Sequence, residues 1–205
     1  MTPPLAPLGD ALLVATHNEG KLAEFRALFA PLGVAVRGAG EMGLAEPAET
    51  EATFEGNARI KARAAVDATG LPALADDSGI EIDALDGAPG VRTADWAETP
   101  AGRDFGLAMR RAWDALEARG APEPRTARFR CTLLLLRPDG TEAVFEGTLP
   151  GRVVWPPRGA EGHGYDPVFQ PDGHERTLGE MPGAEKNRLS HRARAMAALA
   201  EALGR

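Results

Sequence analysis

The segment that most constrains the fold is residues 129–137, where four consecutive leucines, Leu133 to Leu136, stand between Cys131-Thr132 and Arg137. Pro138-Asp139-Gly140 follows at once, and then a second β-prone run at 142–147. An apolar run this short, closed by a Pro-Asp-Gly turn, reads as a strand leading into its hairpin partner. It falls far short of the roughly 20 residues that a membrane-spanning helix requires.

Around this hairpin, strand-like and helix-like segments alternate. Residues 11–16 (ALLVAT) form a short apolar run that reads as a buried strand, and Asn18 is placed to cap a following helix. Leu22, Phe25, Leu28 and Phe29 share one face of that helix, which Pro31 and Gly33 stop. A second strand is expected at 34–37. A helix runs from about Thr53 to Thr69, with Gly70 as its terminator. Residues 74–76 and 80–82 read as two short strands around a turn at Asp77-Ser78-Gly79. A longer helix is expected from Pro100 to Arg119, another strand at 153–155, and a closing helix from Ser190 to Leu203. One hairpin within an otherwise alternating order predicts an α/β fold with a mixed sheet.

No repeat, low-complexity tract or long linker interrupts residues 1–205, so the chain is expected to be a single domain. Basic residues number 23 against 30 acidic, for a net charge of −7. That balance argues against polymeric nucleic acid or a membrane surface as a partner. The single cysteine, Cys131, excludes an internal disulfide framework and fits a reducing compartment. Met1-Thr2-Pro3-Pro4 lacks the basic start and apolar stretch of a signal peptide. The expected location is the cytoplasm.

Some residue types are scarce enough to be informative. The chain has three lysines (Lys21, Lys61, Lys186), three asparagines (Asn18, Asn57, Asn187), two serines (Ser78, Ser190) and one tyrosine, Tyr165. All nine fall within five short clusters at 16–21, 49–61, 76–90, 162–169 and 185–192. A chain that fills its surface with Arg, Ala and Glu has little need of these residues as filler.

Several familiar motifs fail on inspection. Gly38-Ala39-Gly40-Glu41-Met42-Gly43 matches G-x-G-x-x-G, but Pro47 and a polar stretch follow where a dinucleotide site needs a helix. Gly20-Lys21 ends like a phosphate loop, yet Ala15 and Leu22 replace its first glycine and its hydroxyl. His17, His163, His174 and His191 show no i, i+4 pairing, and neither serine sits in G-x-S-x-G.

The five clusters carry more chemistry. Thr16, His17, Asn18, Glu19, Gly20 and Lys21 lie at a strand-to-helix junction, where free N–H groups and the helix dipole attract phosphate. Thr16 and Asn18 add short polar groups, Gly20 lets an anion approach, and Lys21 adds a point charge. Asp76, Asp77 and Ser78 lie at the end of an apolar strand, the usual place for chemistry in open α/β sheets. Glu49 and Glu51 precede the Thr53 helix and can complete a hard-cation site, because Mg²⁺ uses one or two carboxylates together with phosphate oxygens. His163, Gly164, Tyr165 and Asp166 combine a flexible loop, two aromatic rings and a carboxylate, which suits a nucleobase. Lys186, His191 and Arg192 are expected at the N-terminus of the last helix, where cations oppose the dipole, so an anionic or strongly accepting ligand is expected beside them.

Taken together, the clusters resemble the inosine/xanthosine triphosphate pyrophosphatase family. Its T/S-x-N-x-x-K corresponds to residues 16–21, and its E-T-x-x-T-F-x-x-N-A-x-x-K-A to 49–62. Its D-D-S-G and G-A-P-G correspond to 76–79 and 87–90, its G-Y-D-P-x-F to 164–169, and its K-N-x-x-S-H-R to 186–192. Each motif is weak alone, but five in the right order cover nearly the whole chain. The resemblance implies a homodimer with an elongated mixed sheet, and two α/β lobes around a central substrate cleft. It further implies Mg²⁺-dependent hydrolysis of a purine nucleoside triphosphate at the α-phosphate, giving the monophosphate and pyrophosphate.

The resemblance also assigns roles. Thr16, Asn18, Lys21 and Lys61 would hold the triphosphate, with His17, Glu19, Gly20 and Ser78 beside it. Glu49 and Asp77 would position Mg²⁺ and the attacking water, and Asp77 would accept the proton. His163, Gly164, Tyr165, Asp166, Lys186, His191 and Arg192 would take the base. Hypoxanthine and xanthine present a 6-oxo acceptor where adenine presents a donor, so cationic donors favour the deaminated purines. Two positions depart from the family pattern: His163 replaces the usual Phe, and Thr93-Ala94-Asp95 replaces Ser-Ala-Arg. A pyrophosphatase for other modified nucleotides and a non-catalytic nucleotide sensor are the competing expectations.

Overall fold

The computed structural model describes residues 8–204, so Met1-Thr2-Pro3-Pro4 lies outside the described residues. Eight strands and five α-helices follow one another as β1 (Ala11–Val14), α1 (Glu19–Phe29), β2 (Ala35–Gly38), α2 (Phe54–Thr69), β3 (Ala73–Ile82), β4 (Glu98–Thr99), β5 (Gly102–Arg103), α3 (Phe105–Ala118), β6 (Thr126–Leu136), β7 (Glu142–Val153), β8 (Phe169–Pro171), α4 (Gly183–Leu189) and α5 (His191–Ala202). Six strands make one sheet in the order β2-β1-β3-β6-β7-β8, and β4 pairs with β5 separately. β1 is parallel to both β2 and β3, whereas β8 is antiparallel to β7, so the sheet is mixed.

The chain divides into two compact units. Among the described residues, the first comprises those up to Asp77, Thr132–Glu146 and those from Ala195 on; the second comprises Ser78–Cys131 and Gly147–Arg194. In the first unit, Leu13, Ala73, Ala75, Leu134 and Leu136 pack against Ala58, Ala62, Ala65 and Val66 of α2. Alanine dominates that helix face, which lets α2 lie close to the strands. In the second unit, Ile80, Ile82, Phe129, Leu149, Val153, Phe169 and Tyr165 surround Ala108, Ala112 and Leu116 of α3. No helix among the described residues is long and apolar enough to cross a membrane.

The helix ends follow the chemistry of their caps. The Asn18 side chain accepts from the Lys21 N–H, and Thr53 accepts from the Gly56 N–H, each satisfying an otherwise orphaned donor. α2 ends at Gly70, whose φ of 67° is the left-handed value that glycine adopts without strain.

Three expectations need correction, and one short helix is not foreshadowed in the sequence. Residues 73–82 form one continuous strand, without a turn at Asp77-Ser78-Gly79. That strand lies between β1 and β6 in the sheet, β1 pairing with its first residues, Ala73 and Leu74, and its place inside the sheet outweighs the turn preference of Asp, Ser and Gly. α3 begins at Phe105, because residues 98–103 form the β4–β5 pair and Asp104 caps the helix through the Leu107 N–H. Of the expected strand at 153–155 only Val153 is in a strand, as the last residue of the long β7. The closing helix has a separate neighbour, α4, and the two meet at Ser190.

Candidate active site

In the first unit, α1, α2 and β3 gather the scarce residues. Asn18 N–H donates to the Thr16 hydroxyl at 3.2 Å, so the junction after β1 is a pair of short polar turns opening α1. Lys21, in the first turn, reaches Asp76 with its ammonium 2.6 Å from Oδ2. Glu19 and Gly20 lie exposed on the same turn. His17 has a structural partner: Nε2 lies 2.8 Å from the carbonyl of Leu44. A carbonyl only accepts, so that nitrogen carries the proton and holds the 39–44 loop to the start of α1.

Lys61 projects from the middle of α2 and is only 8% exposed. Its ammonium lies 2.5 Å from Glu49, which stands on the loop before the helix. Burial alone would depress this lysine, but Asp76, Asp77 and Glu49 outweigh burial and hold its pKa above the ordinary lysine value. Lys61 is therefore a fixed cation among three carboxylates.

The loop carrying Glu49 and Glu51 is seated by a glycine. A Cβ on Gly56 would lie 2.6 Å from the Glu51 Cβ and 2.8 Å from its Cγ, closer than carbon atoms approach. Above this contact, the Glu51 N–H donates to Asn57 Oδ1 at 3.0 Å, and Asn57 Nδ2 donates to Asp77 Oδ2 at 3.1 Å. Asn57 lies in the E-T-x-x-T-F-x-x-N-A motif and is one of only three asparagines, yet no site role follows from the sequence. Its two-sided bonding becomes visible only in three dimensions. Asp76 was likewise legible as one of a carboxylate pair, but not as the partner of Lys21.

Among the described residues no group of three or more His, Cys, Asp or Glu side chains forms a metal cage. The donor set still suits Mg²⁺, which takes one or two protein carboxylates and draws its remaining ligands from water and substrate phosphates. Glu49 and Asp77 are hard oxygen donors of that kind.

The second unit holds Ser78 and the remaining motifs. Ser78 is half-buried in β3. Asp166 is buried, and its Oδ2 accepts both the His163 N–H at 2.8 Å and the Lys186 ammonium at 2.9 Å. Gly162 has φ 83°, and a Cβ there would fall 2.1 Å from that same oxygen. The loop can therefore fold over Asp166 only with glycine at this position. His163 and Gly164 sit at the loop surface, with the His163 side chain exposed.

Tyr165 departs from the expected role. Its ring is 1% exposed and meets Phe105 edge-on with centroids 6.5 Å apart. A ring packed this way is a core residue and does not offer a face to a base; His163 is the exposed ring of that loop. Burial pushes the Tyr165 phenol well above the usual tyrosine value. His191 stacks on Phe129 at 5.0 Å and 14°, and Arg192 beside it is half-buried. Lys186 lies in the last turn of α4, where a cation complements the helix dipole, so the expected unfavourable placement holds only for His191 and Arg192. Thr93, in the Thr93-Ala94-Asp95 departure from the family pattern, accepts the Ile80 N–H at 2.9 Å and so ties its turn to β3; Asp95 is exposed.

The Ham1 family model matches residues 12–202. A dITP/XTP pyrophosphatase of Ruegeria pomeroyi is 67% identical over 188 residues, covering 92% of each chain. One of Agrobacterium fabrum is 55% identical over 195 residues, covering 90% of this chain and 91% of its own. Among solved structures, a HAM1 protein from Coxiella burnetii superimposes with a TM-score of 0.89 at 37% identity, covering 95% of this chain and 98% of its own. Motif order, fold and these relatives agree, and the chain belongs to the Ham1 family.

Proposed function

We propose that this chain is a nucleoside triphosphate pyrophosphatase that hydrolyses deaminated purine nucleotides, ITP, dITP and XTP, to the monophosphate and pyrophosphate. Relatives named dITP/XTP pyrophosphatase support the reaction and its substrates. The observation that carries the mechanism is the interleaving of Lys21 and Lys61 with Asp76, Asp77 and Glu49.

Water attacks the α-phosphorus, the bond from that phosphorus to the bridging oxygen breaks, and pyrophosphate leaves with the bond electrons. Asp77 accepts the proton of the attacking water. Lys21, Thr16 and the first turn of α1 bind the phosphates, and Lys61 offsets the negative charge that grows on the leaving group. Asp77 and Glu49 would hold Mg²⁺, which would further neutralise phosphate charge. This local arrangement lets a chain of net charge −7 bind a polyanion, because contact charges act within a screening length of about 8 Å.

The second unit reads the base. Asp166 takes one of the three Lys186 N–H groups and leaves the ammonium oriented to donate to a 6-oxo oxygen. Adenine presents a donor there, and an unpaired buried polar group costs about 1–3 kcal/mol. His191 and Arg192 add donors, and His163 offers its ring to the base. Family resemblance further supports a cytoplasmic homodimer in which both units act as one domain. The chain passes between the units at Asp77, Cys131, Glu146 and Arg194, which favours one cooperative unfolding transition.

The reading is tested with purified protein, Mg²⁺, and ITP, dITP, XTP, GTP and ATP, with pyrophosphate and orthophosphate assayed separately. Pyrophosphate from the first three substrates, with GTP and ATP nearly untouched, is expected. Asp77→Asn is expected to lose at least about a hundredfold in kcat, the scale of a lost proton acceptor. Orthophosphate as first product, or normal turnover by this variant, contradicts the reading.

A further inference from the structure

We propose that Asn57 is a positioning residue that sets the Asp77 carboxylate and the Glu49–Glu51 loop in register with one another. The inference rests on the reading of Asp77 given above and extends it to a residue that acts through Asp77 and the Glu49–Glu51 loop.

Asn57 is 2% exposed, so both ends of its amide act in a dry environment. Its two bonds determine its orientation. A backbone N–H can only donate, so the atom 3.0 Å from the Glu51 nitrogen must be the amide oxygen. The NH₂ therefore faces Asp77, and its 3.1 Å bond to Oδ2 joins a donor to a carboxylate. Turning the amide over would set its oxygen against the Asp77 carboxylate and its NH₂ against the Glu51 N–H, leaving both contacts repulsive. The side chain is thus locked in one orientation by its neighbours.

That lock has two consequences. The bond to Oδ2 fixes the rotation of the Asp77 carboxyl group about its own axis. The bond to Glu51, with the close seat at Gly56, fixes the height of the loop bearing Glu49 over α2. A single amide therefore couples two carboxylates that stand 28 residues apart in sequence. Groups that orient catalytic or metal-holding carboxylates typically contribute about tenfold to a hundredfold to activity.

The test is a double-mutant cycle between Asn57 and Asp77 in the full chain. Asn57→Asp has the same shape and keeps an acceptor for Glu51 but sets a second carboxylate against Asp77, so Asn57→Ala, which removes the donor without adding charge, is read beside it in every arm. Each is expected to lower kcat for ITP by about tenfold to a hundredfold, with KM changed less than about threefold. In the Asp77→Asn background the same change is expected to cost less than about twofold, because the orienting bond has nothing left to orient. If Asn57→Asp fails to fold, Asn57→Ala alone is read in the same cycle, with circular dichroism at the assay temperature confirming the fold.

A second measurement needs no turnover. The chain has only four side-chain carboxamides, from Asn18, Asn57, Asn187 and Gln170, so their NH₂ signals are few in a nitrogen-15 spectrum. In metal-free protein, Asp77→Ala is expected to shift the Asn57 NH₂ signals and leave those of Asn187 in place. Near-normal turnover by the Asn57 variants, losses that multiply in the Asp77→Asn background, or an unmoved Asn57 signal each overturn the proposal. Normal turnover by Asp77→Asn alone instead overturns the catalytic reading on which it rests.

Discussion

Lys21 and Asp76 meet at 2.6 Å although 55 residues separate them, and their contact ties the first turn of α1 to β3. The aspartate is the more buried partner, at 5% side-chain exposure against 24% for the lysine. Lys21→Ala therefore takes one of the partners from a buried carboxylate, at a cost of about 1–3 kcal/mol. A lowered melting temperature and a KM for ITP raised at least about tenfold are expected, since the same ammonium is assigned to phosphate. An unchanged KM would remove Lys21 from the phosphate site.

Lys186→Ala tests the reader of the base. The preference for ITP over ATP, measured as a ratio of kcat/KM, is expected to shrink by about tenfold to a hundredfold. The change comes from loss on ITP, because ATP offers no acceptor at that position. Equal losses on both nucleotides would assign Lys186 to the structure of the Asp166 loop instead.

Gly56→Ala inserts a methyl group where the Glu51 Cβ stands 2.6 Å away. Either the loop lifts or α2 shifts, and such overpacking costs about 1–3 kcal/mol. Thermal denaturation is expected to show that loss. Turnover is expected to fall further than stability does, because Glu49 rides on the displaced loop. Wild-type stability and turnover together would show that the loop has room to move.

Tyr165 is the only tyrosine, so its phenolate absorbance near ~295 nm can be followed without overlap from other tyrosines. Burial raises its folded-state pKa above the unfolded value of about 10. The stability it contributes is fully present below pH ~10 and falls as pH rises from there toward the folded value. The phenolate signal is expected to appear only with unfolding, in one step shared with circular dichroism. A signal titrating near pH 10 in folded protein would place the ring at the surface, within reach of a base.

The sequence was most legible where local chemistry decides structure. Asn18, Thr53 and Gly70 mark helix ends through their own side chains or backbone freedom, and α1 and α2 lie where these residues place them. Local chemistry misleads where tertiary context prevails. Asp77-Ser78-Gly79 has turn chemistry, yet it lies within the ten-residue strand β3 of the six-stranded sheet and stays extended. Lys186 and His191 are near in sequence, but the break at Ser190 puts one at the end of a helix and the other at the start of the next. Motif matching supplied the residues of the site without their pairings. That Lys61 is buried among carboxylates, that Asn57 bonds on two sides, and that Tyr165 is a core ring all depend on which elements pack together.

Hydrolysis of ITP in oxygen-18 water tests the central claim most directly, because the label records which phosphorus was attacked. Mass analysis of the products is predicted to place one oxygen-18 in inosine monophosphate and none in pyrophosphate. Label in pyrophosphate, or in orthophosphate released beside a nucleoside diphosphate, would contradict attack at the α-phosphorus.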